Sequence, residues 1–468
     1  MRRCLGMYLC LTMLPVAGSA QDSSRRVEDF SSNPKWESYR SRLLPNPLPV
    51  TRQDFGTRTL ATGPAIGGWV QRSLTPAWFA KIIATRTLTN KLSASGKFTV
   101  TNDLGGSGVL FGWFNESSRG WRTPNSLTFR IDGNGGRYWV FYEYGTRNWL
   151  TGGGGCFEGD RYQTTPTKPF PADGTVHTWS LSYDPAGVNG SGVMTFVLDG
   201  KTYTQTLLPG HKEDGAEFNR FGIFNVQTTG SGMDVFFSDL VLDGQAVDMR
   251  GNAGWEGRGN KVEFPDRTLR PYHDFGWSST SKAGSKPGEL GGIIWRDENP
   301  AYYANKVGPL TLEDELFASG KIVFNGAGSD SGVYLGWFDS RSKTNKAVSD
   351  HEQAPRNMLA ILLEGPSRIG HYFRGAYRTA TGDGMLDDSG PIIRPDGRAH
   401  EWSVHYSPTA GTIAVKLDDR TATLALKPEH RKQGASFDRF GLFNLQVGGH
   451  FVDIAIDDLT YSSATAIR

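Results

Sequence analysis

The sequence contains one long unit twice. SGVLFGWFN at Ser107–Asn115 returns as SGVYLGWFD at Ser331–Asp339, and EFNRFGIFNVQ at Glu217–Gln227 returns as SFDRFGLFNLQ at Ser436–Gln446. All matched segments keep their order and lie 219 to 224 positions apart. A nearly constant period with small drift indicates a duplicated domain that has gained or lost residues in its loops. Each copy has a normal length for one β-sandwich.

Within a copy, short strand-like segments alternate with turn sequences. In the first copy we predict strands at Lys97–Thr101, Val109–Phe114, Leu127–Ile131, Tyr138–Tyr144, Thr178–Tyr183, Met194–Leu198, Arg220–Gln227 and Asp234–Leu242. Asp132–Gly135 and Asp199-Gly200 have the composition of hairpin turns. The best helix candidate, Thr75–Ile83, is short. The 59 glycines and 26 phenylalanines suit turns and strands, so the chain is predicted to be all-β.

The N-terminal residues predict export. Arg2 and Arg3 precede an apolar run, and small residues end it, so residues 1–20 are predicted to be a signal peptide and the chain secreted or periplasmic. No later segment has membrane-spanning length. The remaining chain is divided into a loosely attached arm (21–50), repeat 1 (51–250), a linker (251–273) and repeat 2 (274–468). Cys156, the one cysteine after the signal, is expected to be a buried hydrophobe.

One part of each copy resembles a known family. DGTVHTWSLSYDP at Asp173–Pro185, followed by VMTFVLDG at Val193–Gly200, resembles the concanavalin A-like and laminin G-like pattern, and Asp396–Pro408 repeats it. The resemblance implies two tandem antiparallel β-sandwich domains of the jelly-roll type. Members bind glycans or cleave polysaccharides, so the fold does not choose between binding and catalysis. It also implies a structural calcium ion. The candidate ligands are aspartates of the two closing strands: Asp234, Asp239, Asp453 and Asp458.

Charge and motif content exclude several functions. The formal net charge is +2 with acids and bases balanced along the chain, which argues against a nucleic-acid partner. The E-x-D-x-x-E strand of retaining glucanases with this fold does not occur in the sequence, and that chemistry is disfavoured.

Repeat 1 carries polar residues that repeat 2 does not. Its strand YWVFYEY at Tyr138–Tyr144 corresponds to HYFRGAY at His371–Tyr377, where Ala376 stands opposite Glu143, and the loop that follows is longer in repeat 1. Lyase chemistry on uronic acids needs a cation or amide to neutralise the carboxylate, a histidine or tyrosine to take the α-proton, and an acid to serve the leaving oxygen. The predicted catalytic residues are Glu143 and Glu158, together with His211 and Arg220, which recur in repeat 2 as His430 and Arg439. The predicted substrate-binding residues are Arg122, Asn125, Arg130, Tyr142, Arg147, Trp149, Asn225 and Gln227.

The leading hypothesis is a protein that engages polysaccharide in a concave groove, as a polysaccharide lyase or glycoside hydrolase with its site in repeat 1. Two alternatives stay open. One is a non-catalytic tandem lectin in which both repeats bind glycan and gain by avidity. The other is an adhesion or structural protein without a sugar ligand. We expect a monomer with a glycan partner, no nucleic acid and no cofactor beyond the calcium ion.

Overall fold

The computed structural model describes residues 25–251, 253–269, 272–342 and 354–464; the predicted signal peptide lies outside them. The arm and repeat 1 contain β1 (Arg25–Glu28), β2 (Glu37–Tyr39), β3 (Val50–Leu60), β4 (Gly63–Gln71), β5 (Trp78–Thr87), β6 (Leu92–Asp103), β7 (Gly108–Phe114), β8 (Ser126–Gly133), β9 (Arg137–Gly145), β10 (Thr151–Gly155), β11 (Phe170–Pro171), β12 (Val176–Asp184), β13 (Val193–Leu198), β14 (Lys201–Thr206), α1 (His211–Asp214), β15 (Glu217–Asn225) and β16 (Gly232–Leu242). The rest contains β17 (Gln245–Ala246), β18 (Trp255–Arg258), β19 (Lys261–Pro265), β20 (Asp274–Ser278), β21 (Glu289–Trp295), β22 (Tyr302–Thr311), β23 (Leu316–Ala327), β24 (Ser331–Phe338), β25 (Met358–Gly365), β26 (His371–Arg378), β27 (Gly384–Leu386), β28 (Ile392–Ile393), β29 (Ala399–Ser407), β30 (Thr412–Leu417), β31 (Arg420–Ala425), α2 (Pro428–Gln433), β32 (Ser436–Asn444) and β33 (Phe451–Ser462).

The strands form two sandwiches, each of two antiparallel sheets. In sandwich 1 the front sheet has the order β10-β9-β8-β7-β15-β5-β18 and the back sheet β14-β13-β12-β6-β16-β4-β3-β19. In sandwich 2 the front sheet runs β27-β26-β25-β24-β32-β22-β2 and the back sheet β31-β30-β29-β23-β33-β21-β20. Equivalent strands of the two sandwiches, such as β7 and β24, occupy the same places in these strand orders. The predicted fold class, two tandem antiparallel β-sandwiches, is confirmed.

The core of each sandwich lies between its two sheets. Side chains alternate along the strands, so one face of each sheet meets the other across the core. In sandwich 1, Phe111 on the front sheet stacks on Phe237 of the back sheet with ring centroids 4.1 Å apart, and Trp179 packs beside them. Aliphatic side chains, among them Leu335 and Ile361, make up a larger share of the core of sandwich 2 than of the core of sandwich 1.

The segments before and after repeat 1 exchange partners. β18 pairs with β5 of sandwich 1, and β2 of the arm pairs with the equivalent strand β22 of sandwich 2. Glu256 stands opposite Ala80 and Glu37 opposite Ala304, which are equivalent registers. In the same way, β17 pairs with β16 of sandwich 1, and β1 of the arm pairs with the equivalent strand β33 of sandwich 2. The arm therefore completes sandwich 2, and the segment that precedes sandwich 2 completes sandwich 1.

Two expectations about local structure are wrong. The arm is not loosely attached over its described residues, because β1 and β2 are strands of sandwich 2. Thr75–Ile83 is not a helix: strand β5 begins within it, at Trp78. In addition, β15 ends at Asn225, two residues before the predicted end of that strand. Neither described helix is long and apolar enough to span a membrane.

Candidate functional site

A pocket of about 200 Å³ opens on the front sheet of sandwich 1, on the side facing away from the core. β8 and β9 form its floor, β10 forms one edge, and the loop before β8 forms a wall. A turn of sandwich 2 also reaches it. Its lining residues include Trp121, Arg122, Ser126, Arg130, Phe141, Tyr142, Glu143, Gly152–Gly155, Phe157, Asp160 and Arg368.

A chain of ion pairs crosses the pocket floor. Arg130 Nε donates to Glu143 Oε2 at 3.3 Å, and the same guanidinium contacts Asp132, which also binds Arg72. Burial alone would lower the pKa of Arg130, but Asp132 and Glu143 raise it. The Phe141 ring lies 4.6 Å from the Arg130 guanidinium. These four charged groups neutralise one another and hold the Glu143 carboxylate in one orientation.

The Trp121 ring forms an aromatic wall above this floor. Its ring centroid lies 5.4 Å from the guanidinium of Arg130 and 5.8 Å from that of Arg72. A guanidinium at such a distance is attracted to the ring face. The wall is therefore tied to the charged floor.

Four consecutive glycines, Gly152–Gly155, allow β10 to form the pocket edge. A Cβ on Gly153, whose φ is +149°, would lie 2.2 Å from the carbonyl oxygen of Tyr142. Side chains at the neighbouring glycines would overlap the rings of Tyr144, Tyr142 and Phe157. β10 ends the main strand order of its sheet, and an edge strand leaves backbone N–H and C=O groups available on its outer side.

Arg122 and Arg368 meet at the end of β10. Arg122 Nη1 donates to Thr151 Oγ1 at 3.3 Å, while the Thr151 N–H and hydroxyl donate to the backbone oxygen of Arg368 at 3.0 and 3.3 Å. The Nε of Arg122 is buried and without a hydrogen-bond partner. Burial lowers the pKa of Arg122, and Arg130 and Arg368 lower it further, against the opposing effect of Glu143. Sandwich 2 thus supplies part of the pocket wall.

The equivalent face of sandwich 2 has a different character. The strand registers match Thr128, Arg130 and Glu143 with Ala360, Leu362 and Ala376. These three side chains are buried in an apolar cluster with Tyr334, Met358 and Phe443. The duplication therefore keeps the strands and changes the chemistry of this one face.

The chain matches no protein-family model and no curated protein sequence. Among solved structures it is similar to domains LG4-5 of the mouse laminin α1 chain, at 12% identity and a TM-score of 0.26, over 89% of this chain and 94% of that one. The lectin UEA-II, solved with galactose, has 12% identity and a TM-score of 0.26, over 41% of this chain and 92% of the lectin. An alginate lyase from Pseudomonas aeruginosa has the same identity and TM-score, over 42% and 88%. Values this low carry no argument about binding or catalysis.

The structure brings four of the predicted site residues together in the pocket. They are Arg122, Arg130, Tyr142 and Glu143. Tyr142 contributes from the core side, since its ring packs against Phe196 and Tyr203.

Three predicted residues have scaffold contacts that recur in sandwich 2. His211 is 3.0 Å from the Tyr144 hydroxyl, and its equivalent His430 is 2.9 Å from Tyr377. Arg220 binds Glu116 and Glu256 away from the pocket, as Arg439 binds Glu37. Asn225 accepts from Ala77 N and donates to two carbonyls, as Asn444 does at Ala301. Neither the catalytic role predicted for His211 and Arg220 nor the binding role predicted for Asn225 gains support from these positions.

The remaining predicted residues surround the pocket without lining it. Asn125 has a φ of +52°, and its side-chain oxygen accepts a hydrogen bond from Glu217 N, as the equivalent Asn357 accepts one from Ser436 N. Gln227 accepts from Gly120 N and so holds the loop that carries Trp121. Arg147, Trp149 and Glu158 are not among the lining residues, although Asp160 of the same loop as Glu158 is.

The four aspartates proposed for calcium do not form a ligand set. Asp239 pairs with Lys97 at 2.8 Å and Asp458 with Lys321 at 2.7 Å. Asp453 accepts from Asn325 instead. Among residues 25–251, 253–269, 272–342 and 354–464, no group of three or more His, Cys, Asp or Glu side chains could hold a metal ion. These residues do not fit the ion, and calcium binding stays a prediction from the family resemblance.

Sequence reasoning missed Trp121, Phe141 and Arg368. Trp121 adjoins a predicted residue, and Phe141 alternates with Glu143 on one strand, so period-2 patterning could have found them. Arg368 comes from the other repeat, and no local pattern indicates that it reaches this pocket.

Proposed function

We propose that this chain is an exported protein that binds polysaccharide, as a monomer, in the pocket of sandwich 1. One observation carries the proposal. Arg130 and Glu143 line an open pocket in sandwich 1, whereas the side chains at the matching positions of sandwich 2, Leu362 and Ala376, are buried in an apolar cluster. Because the two sandwiches share a scaffold, the polar face of sandwich 1 is not needed to build the fold.

The pocket chemistry suits a sugar. Aromatic faces such as Trp121 stack on sugar rings, and the Glu143 carboxylate can accept hydrogen bonds from hydroxyl groups. The outer side of β10 offers further backbone donors and acceptors. The volume of about 200 Å³ is below the 300–1,000 Å³ usual for drug-sized ligands. The pocket therefore takes one sugar unit, and the rest of the polysaccharide lies outside it.

A tandem lectin with two equivalent grooves is not favoured, since the positions of Arg130 and Glu143 are taken by the buried side chains of Leu362 and Ala376 in sandwich 2. Cleavage is a second candidate function. Glu143 favours it, because a carboxylate fixed by Arg130 inside a pocket is the type of group that transfers protons to or from a sugar.

The test compares two carboxylates that occupy the same sheet face. Glu143→Gln removes the charge in the pocket, while Glu364→Gln removes a carboxylate that pairs with Arg374 at 2.6 Å in sandwich 2. Hydrogen bonds to charged groups contribute about 1.5–3 kcal/mol. E143Q should therefore weaken glycan binding by roughly tenfold or more, and E364Q should not.

The full chain is incubated with a panel of polysaccharides, and retention is measured by affinity electrophoresis. Reducing ends and the absorbance of unsaturated uronates report cleavage in the same samples. Retention by no glycan would refute the proposal, and equal loss in E143Q and E364Q would refute the placement of the site. Product formation that E143Q abolishes would establish the enzyme.

A further inference from the structure

Arg122 differs from its arginine neighbours because it lacks an acidic partner. Arg72 and Arg130 both bind Asp132, and Arg130 also binds Glu143. Over the described part of the chain, no carboxylate lies within ion-pair distance of Arg122, and its Nε donates to nothing. Its sandwich 2 counterpart by position is the buried Ala354, so the scaffold does not require a cation here.

The backbone of Arg122 is also unusual. Its φ of +55° lies in the left-handed region, which costs a non-glycine residue free energy. An unpaired, partly buried cation on a strained backbone is destabilising in the free protein. Such an arrangement persists where a bound group supplies the missing charge.

Arg368 brings a second cation to the same place. It is exposed, lines the pocket, and has no ion pair among the described residues. The hydrogen bonds from Thr151 to its backbone oxygen fix the turn of sandwich 2 against β10. The lining also includes Asp160 at the exposed rim. The pocket lining therefore holds three guanidinium groups, those of Arg122, Arg130 and Arg368, against the two carboxylates of Glu143 and Asp160, which leaves an excess of positive charge.

We propose that Arg122 and Arg368 together bind the anionic group of an acidic sugar, a carboxylate or a sulfate, so that both sandwiches build one site. This inference rests on the proposed function and adds the substrate class to it. Guanidinium groups present paired N–H donors in a plane, which match the oxygens of either anion. The need for sandwich 2 at the site also gives the tandem arrangement a function other than avidity.

The experiment measures affinity of the full chain for matched oligosaccharides by calorimetry. One pair is an oligouronate and its carboxyl-reduced form, and the other is a sulfated oligosaccharide and its desulfated form; comparing the pairs distinguishes carboxylate from sulfate. The variants are Arg122→Gln, Arg368→Gln and, as the control, Arg250→Gln, an exposed arginine at the end of repeat 1. Thermal unfolding checks that each variant folds. Arg368 is exposed, so R368Q tests the inference even if R122Q loses stability.

The wild-type chain should bind an acidic member at least tenfold more tightly than its neutral counterpart, and added salt should reduce that preference. R122Q should remove the preference and R368Q should reduce it at least threefold, with R250Q unchanged. Equal wild-type affinity for acidic and neutral members would overturn the inference and leave the proposed function standing. If only R122Q lost the preference for the acidic oligosaccharide, the inference that sandwich 2 contributes to the site would be overturned. If none of the oligosaccharides bound, the result would count against the proposed function itself.

Discussion

Replacing Trp36 by alanine should destabilise sandwich 2 although Trp36 precedes sandwich 1 in the chain. Trp36 is 6% exposed and contacts Phe30, Tyr303 and Tyr461, with ring centroids 5.7 to 5.9 Å apart. A buried tryptophan removes on the order of 200 Å² from water, about 5 kcal/mol at ~25 cal/mol per Å². Alanine retains a part of this, so we expect a loss of about 3–5 kcal/mol. For a unit of this size the melting temperature should fall by roughly 6–20 °C.

The chain supplies a matched control in Trp255. This side chain is also 6% exposed, stacks on Phe79 at 5.4 Å, and precedes Glu256 as Trp36 precedes Glu37. Trp255→Ala should therefore destabilise sandwich 1 by a similar amount.

Hydrogen exchange read by mass spectrometry separates the two effects. W36A should accelerate exchange in β22 and leave β5 protected, and W255A should do the reverse. The reasoning would be refuted if W36A accelerated exchange only within the arm, because the arm would then fray without supporting sandwich 2. The same exchange pattern in both variants would also contradict it.

Two further predictions concern titratable groups. Cys156 is 3% exposed and burial raises the pKa of its thiol, so a thiol reagent should label the denatured chain and not the native one; rapid native labelling would show that the site is open. The carboxylates of Asp396, 3.5 Å from Nε2, and Asp418, 2.7 Å from Nδ1, raise the pKa of His400 to about 9 against the opposing effect of burial. Its stabilising effect should therefore be complete below about pH 6.5 and be lost as the pH rises through about 9. The difference in unfolding free energy between the wild type and His400→Gln should shrink over that range, and a constant difference would contradict the assignment.

The sequence predicts the fold well because strand patterns are local. The repeated segments around Trp113 and Trp337 mark β7 and β24, and the same comparison places the sandwiches in register. The partner exchange of the arm was missed, because the match between residues 29–37 and 248–256 is limited to the scattered pattern D-x-x-x-N-x-x-W-E. Four scattered identities do not indicate which sheet a segment joins, since strand pairing across the chain depends on tertiary contacts.

The site is predictable only in part, for a related reason. Glu143 and Arg130 could be found, since each lies on a strand whose alternation points it away from the core. The roles predicted for His211 and Asn225 gain no support from the structure, because a polar residue that recurs in both repeats suggests function and scaffold equally well. The structure separates the two readings only through hydrogen-bond partners, which the sequence does not contain.

The duplication distinguishes two kinds of polar residue in this chain. Polar residues whose partners are reproduced in the other sandwich, such as Tyr144 with His211, hold the scaffold together, because both copies need them to fold. Polar residues on a shared face that become apolar in the other copy, such as Arg130 and Glu143, are not required by the fold. Keeping buried ion pairs where alanine and leucine also fit brings little or no stability. The polar set in sandwich 1 therefore supports the proposal that this pocket binds a ligand.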